Sequence, residues 1–155
     1  MPAFSTTRNV ELSAIYYIET SIDNAWTGVE VVKSFLSAYD KTLPVVCIRL
    51  LDTLTDRLEI GSTTLDNEYS FIIDIFATSD GQRIDLSDFI MDKLKDGWIY
   101  YTHAHTPNDN STLVRTNAGR CIVVAFTDNS RIDFGDEVAN PDRFRHKIVF
   151  RVRKS

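Results

Sequence analysis

Alternation and helical spacing divide the chain into strand-like and helix-like stretches, and the clearest unit runs from Asn67 to Gly97. Between Tyr69 and Ala77 the odd positions are Tyr69, Phe71, Ile73, Ile75 and Ala77; the even ones are Ser70, Ile72, Asp74 and Phe76. A period of two with one wholly apolar face predicts a strand over 68–78, packed hard on one side and partly covered on the other. Ser79 and Gln82 have capping-box spacing around Asp80-Gly81, which predicts a turn and a helix start. Leu86, Phe89, Ile90 and Leu94 then share one helical face. The spacing predicts a helix over 83–96, stopped by Gly97 and lying on the apolar face of the strand.

The rest of the chain follows by the same rules. Residues 1–8 read as a flexible arm. A helix is expected over 9–24, with Leu12, Ile15, Tyr16 and Ile22 on one side. Val29–Val32 is short and β-branched, a strand, followed by irregular chain. Residues 45–52 form a near-continuous apolar run, expected to be a strand buried on both faces. Residues 53–66 read as a long hairpin arm that leaves the body, with a strand piece around Leu58–Gly61. Trp98–Thr102 is a strand, 103–119 a polar loop that includes a weak strand at 112–115, and 120–127 a strand. A turn at 128–130, a return strand at 131–134 and a linker at 135–141 follow.

The last stretch alternates most cleanly. Arg143, Arg145, Lys147, Arg151 and Arg153 point one way with Val149, and Phe144, His146, Ile148, Phe150 and Val152 point the other. The expectation is a C-terminal edge strand that shows a row of cations to water or to a partner. The fold class is therefore α+β: a mixed, mainly antiparallel sheet flanked by two main helices, at about 9–24 and 83–96. A chain of 155 residues suits one domain.

Charge sharpens this picture. Residues 141–155 carry +5 of a chain whose net charge is −5, so the remainder is strongly acidic. A basic strip on an acidic body is suited to meeting an acidic surface, on a second copy or on a polyanion. The expected contact residues are Arg145, Lys147, Arg151 and Arg153 on the terminal strand and Arg57 and Glu59 on the hairpin arm. No apolar run approaches the roughly 18–20 residues that span a bilayer. The start of the chain lacks the apolar core of a secretory signal, so no membrane partner is expected. Cys47 and Cys121 read as reduced, buried thiols, and a disulfide between them requires neighbouring strands.

Candidate chemistry is sparse. His103 and His105, with Asp109 and His146, have the residue types of a metal site, against the plainer reading of solvent-exposed loop histidines. Glu59 and Asp74 on adjacent strands have the makings of a Mg²⁺ pair. The plainer reading of Asp74 pairs it with Arg49 or Arg83 or with backbone N–H groups. The chain has no Walker A loop, GxGxxG, GxSxG or CxxC. A single row of cations on an acidic protein is a poor nucleic-acid groove. No catalytic residue, cofactor or metal is therefore assigned.

Several phrases taken together, LPVVCIRLLD, EIG, YSFIIDIFATSDGQRIDLSDFIMDKL and the terminal RHKIVFRVRKS, resemble the tail-terminator (tail-completion, neck-region) proteins of tailed bacteriophages. The resemblance spans roughly 9–154 and is carried most by the DIFA-SDGQR-DL segment; 98–134 matches least. It implies a mixed sheet flanked by helices and a homo-hexameric ring. Such a ring caps the last layer of tail-tube protein, stops polymerisation and offers its other face to the head–tail connector or stopper protein. It implies no catalytic residues. Residence in the virion tail or neck, assembly in the host cytoplasm and non-specific contact with DNA in the lumen follow as expectations. Two other readings stand beside it: a different neck or head–tail adaptor, and a small metal-dependent enzyme.

Overall fold

The computed structural model describes residues 4–39, 41–61, 63–106, 109–132 and 144–155, with backbone alone at 35, 106 and 109–111. Among the described residues nine elements follow one another: α1 (Thr6–Ala25), β1 (Glu30–Val32), α2 (Phe35–Ala38), β2 (Val45–Arg57), β3 (Leu65–Ala77), α3 (Asp80–Leu94), β4 (Trp98–Thr106), β5 (Asp109–Ile132) and β6 (Phe144–Lys154). The strands form one sheet in the order β1-β2-β3-β6-β5-β4. Only β1 and β2 run parallel; every other pair is antiparallel. The α+β class holds, as do both main helices.

The strand–turn–helix unit forms for the reasons its sequence suggests. Ser79 Oγ accepts the Gln82 N–H at 3.1 Å, and the Gln82 side chain accepts the Thr78 N–H at 2.8 Å. The first bond satisfies a donor that the helix start leaves open, and the second ties Gln82 back to the residue before the cap. Gly97 has φ +70°, and a Cβ there would lie 2.5 Å from the Cys121 carbonyl oxygen, so this helix stop accepts no side chain.

Both long helices cover one face of the sheet. Val10, Ala14, Ile18 and Ile22 of α1 and Leu86, Ile90 and Leu94 of α3 share one core with Phe71, Ile73, Ile75, Ile148, Phe150 and Val152. Phe71 and Phe150 stack across the β3–β6 pair with centroids 5.5 Å apart. On the opposite face α2 covers only one end, where Ala38 meets Val45, Cys47 and Phe76.

Several expectations are corrected. The terminal strand β6 is not an edge: it lies between β3 and β5. Within 103–119 the described residues are strand and not loop: β4 runs to Thr106 and β5, which takes in the weak strand expected at 112–115, starts at Asp109. The separate strands and turn expected over 120–132 are one continuous strand, with register shifts at Val123/Ala125 and Phe126/Asp128 in place of the turn. Thr6 to Arg8 belong to α1, not to an arm, and Phe35–Ala38 is a short helix. Leu58–Gly61 is the turn of the hairpin and not a strand. The linker at 135–141 and the end of the return strand lie outside the described residues. Strands β2 and β5 are not neighbours, so Cys47 and Cys121 remain buried free thiols. Burial pushes their pKa values up to about 11 and about 12.

Candidate interaction surfaces

The cations of β6 lie on the sheet face away from the two long helices, and acids on the flanking strands neutralise them. Arg145 Nη2 donates to Asp74 Oδ1 at 3.2 Å. Lys147 meets Asp128 at 2.9 Å and Arg151 meets Glu68 at 3.4 Å. Arg153 meets both Asp66, at 3.0 Å, and Glu68, at 2.8 Å. The register explains this: Asp74 lies opposite Lys147, Ser70 opposite Arg151, and the acids reach across diagonally. The expected row of free cations is thus an internal ion-pair ladder. Arg143 lies outside the described residues.

Arg145 and Asp74 are the buried end of that ladder, at 8% and 1% exposure. Burial pushes the Asp74 carboxyl above its usual range, and the Arg145 guanidinium pulls against that shift. Asp74 is therefore bridged by an arginine as expected, namely Arg145, with the Arg49 charge also acting on its carboxyl. Arg83 instead donates to the Arg145 carbonyl at 3.3 Å and pairs with Asp80.

The candidate metal ligands are dispersed. His103 is on β4 and buried, not loop-exposed; its backbone N–H and its Nδ1 both meet Asn9 Oδ1 at 3.1 Å. His105 stands edge-on to Phe4, while His146 on β6 bonds Asn129. Burial lowers the pKa of both His103 and His146. The side chain of Asp109 lies outside the described residues. Among the described residues no three His, Cys, Asp or Glu side chains come together. Glu59 is in the hairpin turn whereas Asp74 pairs with Cys47, so the proposed Mg²⁺ pair does not form.

Polar residues of α1 do something that sequence reasoning missed. The outer edge of β4 presents backbone groups at Tyr101 and His103. Ser13 Oγ accepts the Tyr101 N–H at 2.9 Å and lies 3.3 Å from its carbonyl oxygen. Asn9 takes the His103 N–H, and the Phe4 N–H reaches the His103 carbonyl at 3.5 Å. On the other side, Glu11 accepts the Leu50 N–H at 3.3 Å and pairs with Lys33. One helix thereby closes sheet edges that otherwise recruit another strand. The available signal was Asn9 and Ser13 at i, i+4 beside the buried stripe of Val10 and Ala14.

Beyond Leu50 the β2–β3 hairpin leaves this protection. The second half of β2 is exposed throughout. About six residue steps of paired strand carry the arm roughly 20 Å outward. Thr55 and Asn67 bond across it at 2.7 Å, and the Leu58 N–H closes on Thr64 at 3.2 Å. The arm exposes Leu51, Leu54, Leu58, Leu65 and Ile60, the last completely. Among the described residues, its acids Asp52, Asp56 and Glu59 have no cation within 4 Å, unlike Asp66 and Glu68 at its root. Of the expected contact residues, Arg57 and Glu59 lie on this arm, whereas Arg145, Lys147, Arg151 and Arg153 belong to the ladder.

No family model matches the chain, and no curated protein matches it. No described helix is long and apolar enough to cross a membrane.

Proposed function

We propose that the chain is a structural assembly protein, the tail terminator of a tailed bacteriophage. It would form a ring on the end of the tail tube, stop tube growth and join the tail to the head connector or stopper. The observation that carries this reading is the arm: five large apolar side chains stand exposed on a two-stranded projection outside the core. Exposed apolar residues gathered on one feature mark a contact surface. The sequence resemblance supplies the kind of contact, with copies of the chain and with tail-tube protein. The contact surface moves from the β6 cations, which are already paired, to the arm. The same pairing leaves the ladder little free positive charge for DNA in a lumen.

The test is polymerisation of tail-tube subunits with and without the chain. Tubes of limited length bearing the chain at one end are expected. Unaltered growth with no chain at tube ends overturns the proposal. Binding to the connector but not to the tube selects the adaptor reading.

A further inference from the structure

We propose that the arm tip of one copy seats in the groove between α1 and β4 of the next copy. This rests on the self-assembling reading above and specifies its contact.

The groove is a built feature of about 480 Å³, lined by Tyr16, Tyr17, Thr20, Trp98, Tyr101 and Arg120 among others. That size lies within the roughly 300–1,000 Å³ of ordinary binding clefts. Its aromatic wall is fixed in place. Tyr17 stacks on Trp98 at 5.5 Å and donates its hydroxyl to the Lys93 carbonyl at 2.9 Å. Tyr16 stands edge-on to Tyr101 at 5.7 Å. Such a wall accepts aliphatic side chains without reorganising. Leu58 and Ile60, 60% and fully exposed at the arm tip, are side chains of that kind.

Charge favours the same match. Among the described residues, most cations of β6 and α3 meet a carboxylate. Two on β5 beside the groove meet none among the described residues. Arg115 lies over the Tyr16 ring at 4.2 Å, and Arg120 donates to the Asp96 backbone carbonyl at 2.8 Å. The arm supplies what these lack, since Asp56 and Glu59 flank the tip without cationic partners among the described residues. Desolvating the apolar tip beside such pairs gives register as well as attraction.

Knob and groove also lie at opposite ends of α1. Thr6 borders the arm root beside Leu65, Asp66 and Tyr69, whereas Thr20 and Asn24 border the groove. The helix between Thr6 and Thr20 is about 20 Å long. An arm rooted at one end is directed to another copy, and the contact is heterologous, one surface meeting a different one. Contacts of this type propagate head to tail and close into a ring when the rotation allows.

The experiment mixes Ile60→Cys chains with Thr20→Cys chains and adds a short bis-maleimide, with unsubstituted chain as the blank because Cys47 and Cys121 are buried. A cross-linked dimer from the mixture, absent from either variant alone, is the expected result. Oligomers in sedimentation velocity without that cross-link overturn this contact and leave assembly standing. Monomer throughout, with and without tail-tube polymer, overturns both. A second variant, Leu58→Ser/Ile60→Ser, changes only exposed side chains. It is expected to weaken association at least tenfold with an unchanged circular dichroism spectrum; unweakened association overturns the contact.

Discussion

Replacing Arg145 with leucine should unfold much of what the sheet gains from its ladder. The guanidinium sits 3.2 Å from a carboxylate that is 1% exposed. Breaking a buried pair from one side costs about 3–5 kcal/mol, because the remaining charge stays desolvated and unpaired. Against a total stability of about 5–15 kcal/mol, that is a large fraction. The sign of the pH effect is fixed by Asp74. Its folded pKa is raised, chiefly by burial, so its contribution to stability is fullest below the unfolded pKa and is lost as pH rises through the folded value. Arg145 is the partner that restrains the shift. Its removal raises the carboxyl further, and the variant should regain stability on acidification from pH 7 towards 5 more than the parent does. Replacing Asp74 and Arg145 together with apolar residues should cost less than Arg145→Leu alone, since no orphaned charge remains. Urea denaturation followed by tryptophan fluorescence and circular dichroism measures all three proteins. A loss below about 1 kcal/mol for Arg145→Leu, or a double variant no more stable than Arg145→Leu, would refute the reasoning.

Other outcomes follow from the same structure. Arg151→Glu/Arg153→Glu places like charges beside Asp66 and Glu68 on half-exposed pairs, so denaturation should show a loss of about 1–2 kcal/mol that shrinks in high salt. Ser13→Ala strips the Tyr101 N–H of its acceptor at the β4 edge; the expected loss is about 1–3 kcal/mol, with light scattering reporting new aggregation. His103 and His146 have pKa values lowered by burial, so their neutral forms support the fold above the unfolded value near 6.5. That support is lost as pH falls through the lowered folded values, and melting temperatures between pH 7 and 5 should drop less in His103→Gln than in the parent.

What the sequence reveals and conceals here has a physical pattern. The helix start at Ser79 and the stop at Gly97 are legible because capping and positive φ are local requirements. The alternation of β6 shows which side chains share a face, but not which strands stand beside it. The acids that neutralise its cations come from Asp66, Glu68 and Asp74 on one side and Asp128 on the other, so a charged row looks free until the register is known. Residues 103–119 read as a loop with only a weak strand at 112–115 because polar residues interrupt any alternation, which is what a strand exposed along its length also looks like. The Asp128-Asn129-Ser130 sequence has turn composition yet continues β5, where a bulge absorbs the irregularity. The hairpin arm was visible as polar and apolar residues mixed without a packing partner. The closing of the β4 edge by Asn9 and Ser13 depends on a helix crossing a strand about ninety residues later in the chain; their i, i+4 spacing places them on one helix side but does not say which strand they meet.

The most direct measurement compares the chain with its Leu58→Ser/Ile60→Ser variant in sedimentation with assembled tail tube. The parent should pellet with tubes in a small fixed proportion, as expected for one ring per end, while the folded variant stays in the supernatant. Equal pelleting of the two, or a parent that never leaves the supernatant, contradicts an assembly role for the arm.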